Sequence, residues 1–280
     1  MNNKIKEYMP ILIGKQLKLL FKIAPKRALQ KAFLLFCTPR KGQVTPDQMD
    51  FLDAAEDEVV AVNDLLLQTY RWKGSEETIL LVHGWESNTH RWKGLIQVLQ
   101  KHKYNIIAFD APAHGYSSGN ILNVPLYAEC LQKVADLYRP NHIIGHSVGG
   151  MCTAFYQHTY QNPELDKLIL LAPPSELAVI MNGYQKTLQL TDAFMNALDS
   201  YFKAQFGYSF EEFSIAKFSQ KIKNSGLLIH DKYDDIAPYA AATAIDANWT
   251  NGTLMTTENY GHSLFYNEVD ERIVDFLNTK

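Results

Sequence analysis

The sequence predicts an α/β protein: a mostly parallel, doubly wound sheet with helices on both faces. Its order of elements predicts this. Short runs at Thr78 to Val82, Tyr104 to Phe109, His142 to Ile144, Lys167 to Ala172 and Gly226 to His230 read as strands, and Thr78 to Val82 has no polar alternation, as expected for a strand buried on both faces. Helix-length segments at 89–102, 125–138 and 151–160 separate the first four, the order expected of right-handed crossovers in a parallel sheet. Functional groups in such sheets collect at the carboxyl ends of the strands, and His83, Asp110 and Ser147 fall there.

At 280 residues, 46% hydrophobic and 20% charged, the chain has length for one large α/β domain carrying an insertion. A net charge of −3 gives no reason to expect nucleic acid as a partner. No zinc-type cysteine and histidine spacing, P-loop or dinucleotide fingerprint is present, so neither a metal nor an organic cofactor is expected. Cys37, Cys130 and Cys152 are scattered, which suits a reducing compartment and a cytoplasmic location.

The first 41 residues differ from the rest, with ten Lys and Arg against one acid, Glu7. Ile13, Leu17, Leu20 and Phe21 fall on a helical face away from Lys15, Lys18 and Lys22. Lysines interrupt the apolar run too often for a membrane span, and no small-residue cleavage site follows. Two readings stand: a peripheral membrane contact through residues 1–41, or a helix packed on the protein's own core or on a partner chain. Thr45-Pro46-Asp47 then starts a helix to about Glu56, and two strands, Val59 to Val62 and Leu65 to Trp72, turn at Asn63-Asp64.

The run Asn141 to Gly150, NHIIGHSVGG, joins a strand to a helix through a serine enclosed by glycines. A G-x-S-x-G elbow of this kind holds a serine in a strained turn and exposes its hydroxyl as a nucleophile. Acyl transfer also needs N–H donors aimed at the developing oxyanion, one from the residue after the nucleophile and one from a loop after an early strand. Here these are Val148 and Trp85, the latter in His83-Gly84-Trp85-Glu86. Asp110 opens a turn-rich loop and is read as bonding the backbone of its own turn, and His114 as a loop or pocket-rim residue.

Together, HGW, DAPAHGYS and GHSVGG over about residues 75–270 resemble the α/β-hydrolase-fold serine hydrolases. Ala113 departs from the resemblance, since glycine is usual there. The resemblance implies an α/β-hydrolase fold with a cap over 175–220 inserted in a core over 45–174 and 221–280, while the basic amphipathic pattern marks 1–44 as an N-terminal helical segment. The cap stretch carries Met181, Tyr184, Phe194, Met195, Tyr201, Phe202, Phe206, Tyr208, Phe210, Phe213 and Phe218, divided between its own packing and an apolar acyl pocket. The resemblance also implies Asp234 as the acid, with Asp231 and Asp235 as rivals, and His262 as the general base. The order Ser147, Asp234, His262 is the one this fold uses.

The function so implied is cleavage of a small or medium lipophilic carboxylic ester, a carboxylesterase-like activity without cofactor. A lipase or thioesterase working at a membrane surface is one alternative. A non-catalytic binding protein on the same fold is another.

Overall fold

The computed structural model describes residues 3–279; the first two residues of the expected segment 1–44 and the last residue of the expected core lie outside them. The chain divides into two compact units, one of residues 1–38 with 176–214 and one of 39–175 with 215–280.

The larger unit opens with α3 (Pro46–Asp53), whose capping box pairs the Thr45 side chain with the Gln48 backbone and the Gln48 side chain with Thr45. Strands β1 (Glu56–Val62) and β2 (Leu65–Trp72) follow as an antiparallel pair in register Val62 with Leu65. Next come β3 (Glu76–Val82), α4 (Lys93–Lys101), β4 (Tyr104–Phe109), α5 (Val124–Tyr138), β5 (His142–His146), α6 (Val148–Tyr160) and β6 (Lys167–Leu171). The eight-stranded sheet has the order β1-β2-β4-β3-β5-β6-β7-β8, with β7 (Ser225–Asp231) and β8 (Gly252–Thr257) completing it. From β4 to β8 every pairing is parallel, so each connection is a crossover carrying a helix or, before β7, the inserted segment. β4 and β5 are buried at every residue, which is why they read as largely apolar runs without polar alternation.

One layer of the core gathers Ile79, Leu81, Ile106, Ile144, Ile169 and Leu227 from the sheet with Trp92, Leu95, Ile96 and Leu99 from the α4 side and Val269, Ile273 and Leu277 from α11 (Asn267–Leu277). Each fully buried aliphatic side chain contributes about 1.5–3 kcal/mol. Two short helices complete this unit: α9 (Ile215–Ser219), with Phe218 against Phe155 of α6 at 5.4 Å between ring centroids, and α10 (Ala240–Asp246) between β7 and β8.

In the smaller unit the basic N-terminal segment forms two helices, α1 (Asn3–Ile23) and α2 (Pro25–Cys37), packed with α7 (Leu177–Leu188) and α8 (Asp192–Phe206). Phe21 meets Phe194 at 4.8 Å between centroids, Phe33 meets Phe202 at 5.3 Å, and Phe36 meets Tyr184 at 5.3 Å. The Tyr184 hydroxyl donates to the Ala32 carbonyl at 2.8 Å. Leu17, Ala28, Ala32 and Phe33 are thereby buried. Much of the aromatic stripe at 181–213 thus finds its partners in the first 38 residues.

Candidate active site

The elbow is built where β5 meets α6. Ser147 has φ 54° and ψ −122°, a backbone conformation that a non-glycine residue adopts only at a cost of about 1–3 kcal/mol. Its N–H donates to the Leu171 carbonyl at 2.8 Å, and its own carbonyl accepts the first helical bond from Met151 at 3.0 Å. A side chain at Gly149 would bring Cβ to 2.1 Å from the Val82 carbonyl oxygen, so helix and strand approach as only glycine permits. Strain at Ser147 is therefore fixed from both sides.

Three predicted residues come together. His262, in the loop after β8, has Nε2 2.9 Å from Ser147 Oγ and Nδ1 2.8 Å from Asp234 Oδ2. Asp234 lies in the turn after β7, where its Oδ1 accepts from the N–H groups of Ile236 and Ala237 at 2.8 and 2.9 Å. Burial pushes its carboxyl up, but the His262 hydrogen bond and those two N–H groups outweigh it and hold the acid below its ordinary value. The rivals do not reach His262. Asp231 accepts from Tyr233 N, Thr257 Oγ1 and Tyr260 N, and Asp235 is exposed.

Val148 is the first residue of α6, where an N–H has no partner within its helix. Trp85 follows Gly84, whose backbone lies against Ser147: a Cβ there would stand 3.0 Å from Ser147 Cβ. Neither N–H has a hydrogen-bond partner among the described residues.

Residues 77–222, just over half of the chain, match the family model described as alpha/beta hydrolase fold. The chain belongs to the alpha/beta hydrolase fold family. A protein of Arabidopsis thaliana named as a chloroplastic methylesterase is 28% identical over 144 residues, which are 49% of this chain and 31% of that protein. The chain therefore spans less than a third of that relative's length. The AB hydrolase superfamily protein YisY of Bacillus subtilis is 24% identical over 250 residues, covering 74% of this chain and 93% of the relative. Among solved structures, Est1E from Butyrivibrio proteoclasticus with ferulic acid bound superposes with a TM-score of 0.65 at 17% identity, covering 79% of this chain and 97% of that one. At that identity the likeness is one of fold.

Around the site, this alpha/beta hydrolase keeps several imidazoles neutral. His83 accepts from Ala111 N at Nε2, 2.9 Å, and its Nδ1 bonds the Gly84 carbonyl at 2.8 Å; burial pushes it down to about 3. His114 is fully buried rather than at a rim. Its Nε2 accepts from Glu86 N at 3.0 Å and its Nδ1 bonds the Pro112 carbonyl at 2.9 Å, tying the Trp85 loop to the loop after β4. Asp110 does bond its own turn, at Tyr116 N, and also accepts from Tyr70 Oη and Thr89 N. In the same loop Ala113 takes φ 63°, the left-handed conformation that the usual glycine adopts freely, so the departure is absorbed as local strain.

Sequence reasoning missed His146. Its Nε2 donates to the His262 carbonyl at 2.9 Å, and burial first, then the Arg91 charge, keep it far below its ordinary value and neutral. It occupies the open position of G-x-S-x-G, where the motif specifies no residue.

Proposed function

We propose that this chain is a serine hydrolase that cleaves carboxylic esters through Ser147, His262 and Asp234. The observation carrying the reading is the continuous line Ser147 Oγ, His262 Nε2, His262 Nδ1, Asp234 Oδ2, with both links under 3.0 Å. In this line the serine hydroxyl donates to Nε2 and the Nδ1–H donates to the carboxylate, the tautomer a general base requires. The name of the methylesterase relative is in keeping with an ester as substrate.

Nε2 takes the hydroxyl proton as Oγ bonds to the carbonyl carbon, and Asp234 stabilises the resulting imidazolium. The negative oxygen is received by the N–H groups of Val148 and Trp85, which are uncommitted and so need no rearrangement. Collapse breaks the ester C–O bond, and the leaving alcohol carries away the Nε2 proton. A water then gives one proton to Nε2 and adds to the acyl carbon. The carboxylic acid departs as Ser147 regains its proton.

A cleft of about 380 Å³ beside the His262 loop is lined by residues such as Arg91, Trp92, Phe265 and Asp270 but by none of these five. It is not assigned to the acyl group. The test is labelling with a fluorophosphonate probe together with turnover of p-nitrophenyl acetate. Native protein is expected to label and turn over, and Ser147→Ala to do neither, with a rate loss of at least about 10⁴-fold. Equal labelling of both forms would assign the nucleophile elsewhere, and no labelling of native protein would favour a binding protein.

A further inference from the structure

The N-terminal helix α1 has two apolar faces, and the smaller unit covers only one. Leu17 is buried and Phe21 packs on Phe194, so the face that the sequence pattern suggested for a membrane is occupied within the protein. Another stripe faces solvent. Tyr8, Leu12, Leu19 and Ile23 are 61, 52, 62 and 76% exposed, and Lys15 and Lys22 share their side of the helix and are exposed too. The spacing 8, 12, 15, 19, 22 advances by four and three residues, which keeps all of them on one side of an α-helix.

We propose that this stripe is a docking surface for an anionic lipid bilayer, with α1 lying in the interface. Charge argues for that occupant. From Tyr8 to Pro46 the chain has eight Lys and Arg and no Asp or Glu. Lys26 and Arg27 stand in the first turn of α2, where the helix dipole disfavours cations, so helix stability does not account for them. An apolar stripe flanked by lysines suits the boundary between acyl chains and acidic headgroups. A second copy of the chain suits it poorly. Two such faces would set Lys15 and Lys22 against their own kind with no acid in α1 beyond Glu7 to pair them. Among the described residues no helix is long and apolar enough to cross a membrane, so the contact is with the surface.

This inference does not depend on ester cleavage, and its test does not use it. The full chain is sedimented with vesicles of phosphatidylcholine alone and of phosphatidylcholine with phosphatidylglycerol in equal parts, at low and high salt. Binding is expected to the anionic vesicles, to weaken with salt, and to fall about tenfold or more in Leu12→Glu/Leu19→Glu and in Lys15→Glu/Lys22→Glu. All four side chains are exposed or largely so, and an unchanged circular-dichroism melt separates lost docking from lost folding. Equal binding to both vesicle types, no binding to either, or native-like binding by both variants would overturn the proposal. So would a concentration-dependent dimer abolished by the same variants without vesicle binding, which would assign the face to a second copy.

Discussion

Replacing Asp234 by Asn tests the site most sharply, because the structure dictates how the amide must sit. Oδ1 receives two backbone N–H groups, from Ile236 and Ala237, and only a carbonyl oxygen can occupy that place without leaving both unpaired. The amide NH₂ is then forced into the position of Oδ2, 2.8 Å from His262 Nδ1. A donor there selects the tautomer with the proton on Nε2, facing Ser147, and that nitrogen can no longer accept the serine proton. A loss near 10⁴-fold in kcat/KM is expected, about 5.4 kcal/mol of transition-state stabilisation. The assay is p-nitrophenyl acetate hydrolysis at fixed pH, with the melting temperature measured in parallel. Asp235→Asn serves as the control, since that carboxylate is exposed, and should stay within a few-fold of native. If Asp234→Asn, still folded, keeps activity within about tenfold of native, the carboxylate is not setting the tautomer and the assignment of the acid fails.

At Gly84, alanine places a methyl 3.0 Å from Ser147 Cβ and 3.2 Å from His146 Nδ1, so Ser147 or the Trp85 loop must yield by a few tenths of an ångström. A loss of about 10- to 100-fold in kcat/KM and slowed probe labelling are expected, and native rates would refute the tight fit. Acid should destabilise the fold through His83. Its imidazole is held at about 3 by burial, so below its ordinary value of roughly 6.5 the unfolded chain takes up a proton that the folded one refuses. Its contribution is complete above that value and is lost towards about 3, at about 1.4 kcal/mol per pH unit; a urea midpoint that stays level between about pH 6 and 4 would refute it.

The sheet was legible because its central strands are buried on both faces: β4 and β5 could be read from largely apolar runs, and β1 and β2 from the Asn63-Asp64 turn between two apolar-rich segments. The elbow was legible for a local reason as well, since glycine at 145, 149 and 150 serves a close approach. What the sequence could not display is contact between distant segments. Ile13, Leu17, Leu20 and Phe21 form an apolar helix face whatever covers them, and periodicity does not distinguish a lipid from Phe194. The aromatic stripe posed the mirror image of that question, and Phe21 against Phe194 answers both. Helix α10 was missed because Ala240 to Asp246 is short and rich in alanine, leaving little periodicity to detect.

Nine histidines gave the sequence no means of ranking them beyond motif position, and the structure ranks them by what each ring nitrogen meets. His83 and His114 each bond a carbonyl at Nδ1 and accept a backbone N–H at Nε2, so both ring nitrogens are spent on loop geometry. His230 lies 3.5 Å from Asp234 Oδ2, yet its Nε2 is only 2.7 Å from the Ala237 carbonyl, which accepts its N–H and leaves the carboxylate oxygen to His262. His142 pairs with Glu77 at the opposite end of β5 from the serine. His262 has a carboxylate on one nitrogen and a serine hydroxyl on the other, and a proton can pass between serine and ring only where both conditions hold. On the proposed mechanism the neutral rings around it serve a physical purpose: uncharged, they fix the Trp85 and His262 loops by directional bonds without adding a positive charge beside the ring that is to take the serine proton.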